Sequence, residues 1–199
     1  MPSRRDLNLV AFAFCAALLV AVLVGACSSG PTASFDPSGP CPTDGAAPGA
    51  YPDLEARIPT TYEGQTPGRL DSGRHCDSES LGSLAAAGIT EVRFAGGTWD
   101  LGGDAAAALV VFEADGLTVD QVAEFYATSA RDSNRTTVVR ETILTLAGRS
   151  GRRLDTMTGD RSQTIVIWPG SDADVVNVVI SNELPDPKIQ AAVDAFGGR

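Results

Sequence analysis

Residue types able to carry out chemistry are scarce in this chain. His75 is the single histidine among 199 residues, so a serine hydrolase triad or a histidine acid–base pair has to use it. The sequence contains no G-x-S-x-G elbow, no H-E-x-x-H motif, no P-loop and no G-x-G-x-x-G after a strand pattern. Its 25 Asp and Glu residues leave a carboxylate-dependent hydrolase open as an alternative. We predict a protein that is not an enzyme and holds no cofactor and no metal.

One stretch is basic although the chain as a whole is acidic. Seven arginines and four acids lie between positions 131 and 161, whereas the chain has a formal net charge of −10. Arginines that converge across a hairpin clamp a phosphate or carboxylate, or dock an acidic partner. The candidate anion- or partner-binding residues are Arg149, Arg152, Arg153 and Arg161. The alternative is cross-strand pairing with Glu141, Asp155 and Asp160 on a solvated face.

The N-terminal sequence has the pattern of a signal peptide for export. Arg4 and Arg5 precede an apolar run from Leu9 to Val24, which at about 16 residues is shorter than the roughly 20 that span a bilayer. The tetrapeptide from Val24 to Cys27 resembles the lipobox of bacterial lipoproteins, in which the cysteine takes diacylglycerol before cleavage. This resemblance implies a lipoprotein signal peptide over residues 1–26 and lipidation of Cys27. An ordinary secretory signal and an uncleaved anchor helix stay open.

Two cysteines remain for pairing in the exported chain. Cys15 lies in the predicted signal and Cys27 carries the lipid, so Cys41 and Cys76 are left in an oxidising compartment. We predict a disulfide between them, which the chain-entropy model makes worth roughly 3.8 kcal/mol. Metal binding by these cysteines with His75 is the alternative, but their spacing fits no familiar ligand set.

The rest of the chain divides into a tether and a domain. Residues 27–52 are rich in Ser, Gly, Pro and Ala, and we predict a flexible tether there. Residues 53–199 have the usual size of a single domain. Helices are predicted over 116–130, where Thr118 and Gln121 form a capping box, over 186–198, and over the shorter range 78–87.

Strand patterns fill the intervals between these helices. They cover residues 91–95, 107–114, 136–147, 152–158, 163–169 and 174–181. The last four are separated by turn residues, which predicts an antiparallel meander, and the final strand is apolar on both faces, which favours a central position. The predicted class is α+β, a mostly antiparallel sheet packed by two or three helices and preceded by a signal helix and a tether.

Two further resemblances concern the domain. Its opening phrase "DLEARIPTTYEGQ" and the later "LAGRSGRRLD" are similar to bacterial surface lipoproteins whose domains open with "LEALLP". The element order resembles the PsbP-like α+β sandwich, in which a strand, a "GR" turn and two further strands precede the C-terminal helix. Neither resemblance implies a catalytic residue; both imply a ligand or partner module at a membrane surface.

Together these patterns favour an extracytoplasmic lipoprotein, anchored in the cell membrane, that acts as a non-catalytic ligand- or partner-binding module. Its expected partners are the membrane, through the lipid anchor, and a protein or small anionic ligand. The acidic charge excludes nucleic acid as a partner. An assembly or structural factor for an envelope or membrane complex stays open as an alternative, as does the hydrolase.

Overall fold

An antiparallel sheet runs through the part of the chain that the computed structural model describes, which is residues 35–41, 44–146 and 149–196. Its eight strands within those ranges are β1 (Gly45–Ala47), β2 (Arg69–His75), β3 (Val92–Asp100), β4 (Ala106–Glu113), β5 (Thr136–Leu146), β6 (Arg149–Thr158), β7 (Arg161–Pro169) and β8 (Val175–Asn182). Their order across the sheet is β1-β2-β3-β4-β8-β7-β6-β5. The predicted signal peptide and the predicted lipidation site Cys27 lie outside the described residues.

The helices in the described ranges are short. They are α1 (Pro52–Glu55), α2 (Ser78–Leu81), α3 (Ser83–Ala86), α4 (Val119–Asp132) and α5 (Asp186–Ala195), and the first three are single turns of four residues. The fold is therefore mostly β, and the predicted α+β class, a sheet packed by two or three helices, is wrong. Among the described residues, no helix has the length and apolar character needed to cross a bilayer.

Two local features explain that error. The predicted helix over 78–87 breaks at Gly82, whose φ of 51° lies in the left-handed region and separates α2 from α3. The sequence of β2 has no apolar alternation, and its buried residues Asp71, Ser72 and Arg74 are polar, so no strand was predicted there. Both errors arise because the prediction relies on apolar periodicity. An apolar run hides the break at Gly82, so helix content is overestimated, and a polar strand such as β2 has no apolar signal, so strand content is underestimated.

The predicted four-strand meander at the end of the chain is confirmed. β5, β6, β7 and β8 pair in succession, each antiparallel to the next. The central position predicted for the last strand is also confirmed, because β8 lies between β4 and β7 and is buried along almost its whole length. The predicted capping box starts α4, where Thr118 accepts from the backbone N–H of Gln121 and Gln121 accepts from that of Thr118.

Buried apolar side chains lie on both faces of the sheet. Successive residues of a strand point to opposite faces, and α4 lies against β5, β6 and β7 on one of them. On the other face, Trp99 of β3 packs in a cluster with α1 and α5. The members of that cluster from the two helices are Leu54, Ile189, Ala192 and Val193. The helices therefore cover the two faces of the sheet.

One lateral edge is covered by the chain's own N-terminal segment. Within the stretch predicted as a tether, β1 pairs with β2 and the Phe35 ring packs over Gly45. A disulfide joins Cys41 to Cys76 at the end of β2, with the Cα atoms 5.6 Å apart. The predicted disulfide is thus present, and it ties this segment to the sheet.

Arg74 of β2 binds the same N-terminal segment through hydrogen bonds to its backbone. This arginine is only 4% exposed, and its guanidinium donates to the carbonyl oxygens of Pro37 at 3.2 Å and of Asp36 and Pro40 at 3.4 Å. The Phe35 ring lies 5.5 Å from the same guanidinium, which adds a cation–π contact. Because a buried charge is costly unless its donors are used, these carbonyls explain how an arginine is accommodated inside a strand.

Close backbone approach between β1 and β2 gives the first testable prediction. A Cβ at Gly73 would lie 2.2 Å from the Gly45 carbonyl oxygen and 2.7 Å from Cβ of Ala46, so Gly73→Ala forces β1 off the sheet edge. We expect a loss of about 2 kcal/mol in the free energy of unfolding, measured by urea denaturation. In the control Gly68→Ala the new Cβ meets only the Thr98 carbonyl oxygen at 3.8 Å; equal losses in the two variants would contradict the prediction.

Candidate functional site

The arginines predicted as a binding cluster point in different directions. Arg152 and Arg153 are consecutive in β6 and therefore face opposite sides of the sheet. The ion pairs that they form reach different helices. Arg152 contacts Asp120 of α4 at 2.8 Å, and Arg153 contacts Asp186 of α5 at 2.8 Å. These two residues of the predicted cluster are therefore not brought together.

The other two arginines do not complete a cluster either. Arg161 contacts Asp104 in the β3–β4 turn at 3.1 Å. Arg149 opens β6 opposite Leu146, and its side chain lies outside the described part. Arg153 also contacts Asp155 at 2.9 Å, but both residues lie in β6, so this is not the cross-strand pairing that the sequence left as the alternative. The cross-strand ion pair to Asp155 comes from Arg140 of β5, at 2.7 Å. Most of the acids that pair with these arginines come from elsewhere in the chain.

A carboxylate at the centre of this region is fully engaged. Asp155 accepts from Arg140 Nε at 2.8 Å, from Arg153 Nε at 2.9 Å and from the Thr164 hydroxyl at 2.8 Å. Burial raises the pKa of Asp155, but the hydrogen bonds from Thr164, Arg140 and Arg153 outweigh burial and leave the pKa below its ordinary value. A general acid needs a raised pKa, so this group does not suit acid catalysis.

A shallow cleft adjoins the start of α4. It has a volume of about 220 Å³ and is lined by Thr118, Val119, Asp120, Ser150, Gly151 and Arg152. The cation and the anion in its wall already pair with each other, since Arg152 Nε and Nη2 both approach Asp120 Oδ1. The hydrogen bond to Asp120 raises the pKa of Arg152. The cleft therefore offers a bounded concave surface but no unpaired charge for a small ion.

The single histidine lies beside the disulfide and contacts a carboxylate, and we call this group, Asp44 with His75, Cys76 and Asp77, the carboxylate corner. His75 Nδ1 lies 3.2 Å from Asp44 Oδ2, and the imidazole stacks on Phe94 with the ring centroids 4.8 Å apart. Its Nε2 is buried and meets no hydrogen-bond partner in the described part of the chain. Asp44 and His75 thus have the orientation of the acid and the base of a serine hydrolase triad. However, no hydroxyl group in the described part of the chain hydrogen-bonds to Nε2, so the nucleophile of such a triad is missing there.

Potential metal ligands meet at one place in the described ranges. Cys41, Cys76 and Glu91 offer ligand atoms within 4.8 Å of one another. Both sulfurs belong to the disulfide, and a disulfide sulfur lacks the thiolate charge that binds a metal. His75 turns to Asp44 instead, so the histidine and the cysteines do not form the alternative metal site considered from the sequence.

The second lateral edge of the sheet is open, and we call it the β5 edge (Val139–Thr145). β5 is 11 residues long and stands at the end of the strand order, paired on one side only with β6. Val139 is 61% exposed and Ile143 is 65% exposed, and no other large hydrophobic side chain of the described residues is classed as exposed. Ile143 lies opposite Arg152, so the edge borders the cleft at α4. The β5 edge is the strongest candidate binding surface.

Sequence reasoning missed this edge because edge position depends on strand order. The pattern "TTVVRETILTL" predicted a strand but not which of its sides lacks a partner. One signal was available, since β5 opens the meander directly after α4, so its one neighbour in the meander is β6. An opening strand of 11 residues without proline is a candidate edge.

No family model matches the sequence, and no curated protein matches it. Among solved structures, the chain is similar to the extracellular domain of PknH from Mycobacterium tuberculosis, with 13% identity over 73% of this chain and 89% of that chain. The TM-score is 0.29, and a likeness at that level assigns neither a fold nor a function.

The carboxylate corner gives a testable pH dependence. Burial raises the pKa of Asp44, but hydrogen bonds from Ser80 and from the backbone N–H groups of Cys76 and Asp77 lower it from 3.8 to about 2. A depressed folded-state pKa stabilises the fold above the unfolded value and loses that effect as pH falls through the folded value. We expect Asp44→Asn to cost about 1 kcal/mol at pH 7, after allowing for solvent screening.

This cost should shrink as pH falls from about 4 to about 2, where Asp44 itself becomes protonated. Urea unfolding of the two proteins at a series of pH values measures the difference. A difference that stays constant across this window would show that the carboxylate charge is not what holds the corner.

Proposed function

We propose that this chain is a lipoprotein anchored through Cys27 on the extracytoplasmic face of the cell membrane, and that its domain is a non-catalytic partner-binding module. The observation that carries the binding role is the β5 edge, part of a long strand that is paired on one side only and holds the two exposed large hydrophobic side chains of the described residues. Open strands are templates for pairing with another chain. A binding surface of this kind needs no catalytic group.

The location rests on the N-terminal sequence together with the cysteine pairing. The tetrapeptide ending at Cys27 resembles a lipobox, and the disulfide between Cys41 and Cys76 fits an oxidising compartment. Stable anchoring needs two or more acyl chains, because one chain binds reversibly. The acidic net charge of −10 means that the acyl chains, and not attraction to anionic lipid, hold the domain at the membrane.

The arginines favour a protein partner over a small anion. Arg152, Arg153 and Arg161 each hold a carboxylate of the same chain, so an incoming anion has to displace an existing ion pair. Backbone groups of an edge strand carry no such competitor. The proposal therefore selects the protein partner from the two kinds of ligand that the sequence favoured.

The anchor is tested by Cys27→Ala. We expect the wild-type chain in the membrane fraction of cells, with an N-terminal mass that includes acyl chains, and the variant outside that fraction. Mass spectrometry of the purified N-terminus is the measurement. A wild-type chain recovered without acyl mass and with both Cys41 and Cys76 reduced would overturn the location.

The binding role is tested in cells with a photoreactive amino acid at Ile143 and, as the matched control, at exposed Asp53 on α1. We expect one stoichiometric crosslinked protein from position 143 and none from position 53. Loss of that product in the Cys27→Ala background would tie binding to anchoring. Equal products from both positions would show that the β5 edge is not a preferred surface.

A further inference from the structure

The backbone groups and side chains of the β5 edge favour one kind of binding partner over another. This inference rests on the proposed function of partner binding. In an antiparallel sheet, the N–H and C=O groups of alternate residues point to one neighbour and those of the others point away. From Arg140 to Leu146, β5 pairs residue by residue with β6, so its outward groups form a regular row. The opposite edge strand, β1, offers only three residues.

β5 has only part of the protection that natural edge strands carry. Natural edges are protected by proline, charged side chains, bulges or very short strands, and the charged residues of β5 are Arg140 and Glu141. β5 has one irregularity, between Val138 and Arg140, and neither proline nor lysine in its 11 residues. Val139 lies at the irregularity and Ile143 lies within the regular segment, and both side chains are exposed. A strand added beside β5 would cover both.

Charge distinguishes the possible occupants. Arg140 is held by Asp155 through Nε at 2.8 Å and Nη2 at 2.7 Å. Glu141 is held loosely, since its nearest cation, Arg131, lies at 4.0 Å. Its side chain is 39% exposed. An added strand meets both side chains, since Arg140 is 61% exposed, but the Arg140 charge is balanced by Asp155. Glu141 is therefore the charge at this edge that has no close ionic partner among the described residues.

A second copy of this chain fits that charge poorly. Two β5 strands that pair across a twofold axis run antiparallel, and the axis keeps each face of one sheet level with the same face of the other. Residues that oppose each other must therefore point to the same face, which means that both have odd numbers or both have even numbers. Arg140 and Glu141 are then never opposite each other. Within the regular segment, the register that sets Arg140 opposite Thr142 also sets Glu141 opposite Glu141 of the second copy, and like charges directly opposite destabilise the pair.

We propose that the β5 edge binds an extended segment of a different protein by strand addition, and that this segment carries a basic residue opposite Glu141 and an apolar residue opposite Ile143. The added strand continues the sheet beyond β5, with main-chain hydrogen bonds giving affinity and these two side-chain pairs giving specificity.

The probe is a nine-residue peptide, capped at both ends, in which valine and threonine alternate from a first valine and lysine replaces the central valine. The residues two positions from the lysine are then valines, so one of them faces Ile143 when the lysine faces Glu141. It is offered to the full chain in detergent, and amide hydrogen exchange of β5 is followed. We expect the outward amides between Arg140 and Thr145 to exchange at least tenfold more slowly. The same peptide with glutamate in place of lysine should bind about threefold to tenfold more weakly.

Variants of the protein make the assignment specific. Glu141→Lys should reverse the preference between the two peptides, and Ile143→Lys should weaken both by about tenfold. Thr60→Lys adds the same charge at an exposed position away from β5 and should leave both affinities within twofold of wild type. N-methylation of the alternate peptide amides that face β5 should abolish the protection of the β5 amides from exchange, whereas N-methylation of the other set should not.

Two results would overturn the inference. One is the absence of β5 protection with every peptide, even if the photoreactive probe at position 143 still yields a crosslinked protein, which would leave the proposed function in place. The other is a concentration-dependent dimer in sedimentation that Ile143→Lys removes, which would assign the edge to a second copy. Failure of the crosslink with success of the peptide would instead count against the proposed function alone.

Discussion

The pairing of β4 with β8 holds the two halves of the sheet together. β1 to β4 are consecutive in the chain and in the sheet, and so are β5 to β8, but in reverse spatial order. Eight residue pairs, from Ala106 with Asn182 to Glu113 with Val175, make the join. Both strands are buried along most of their length, so the join combines a full hydrogen-bond ladder with apolar burial on both faces. It also dictates the edges: once β4 takes β8, β5 is left without a second neighbour.

Sequence patterns predicted the elements whose signals are local. The capping box at Thr118 starts α4 because Thr118 and Gln121 need only each other, and the strands of the meander alternate or are apolar throughout. The patterns failed for β2, where Arg74 is buried through carbonyl oxygens from a segment more than 30 residues earlier in the chain. They failed at Gly82 too, because a left-handed φ inside an apolar run has no apolar signature. A long-range partner decides the first place, and a local backbone conformation decides the second.

The arginine stretch shows the same limit for a candidate site. Its excess of positive charge is real in the sequence, yet Asp104, Asp120 and Asp186 lie outside the stretch and neutralise Arg161, Arg152 and Arg153. Net charge over a sequence window therefore misjudges a sheet, in which neighbouring residues of one strand face opposite layers. Arg152 and Arg153 are adjacent in the chain, but they stabilise the contacts of β6 with α4 and α5 on opposite faces.

Glu141 can serve two purposes at the open edge with a single charge. An exposed strand with two apolar side chains is prone to pair with copies of itself, and natural proteins place charges on edge strands to prevent this. A carboxylate near the middle of β5 disfavours the symmetric register that brings it opposite the same carboxylate of a second copy, and the overall charge of −10 adds repulsion between copies. The same carboxylate attracts a strand that carries a cation at the opposing position. Protection against self-pairing and selection of a partner thus follow from one residue, since specificity is a difference between two affinities.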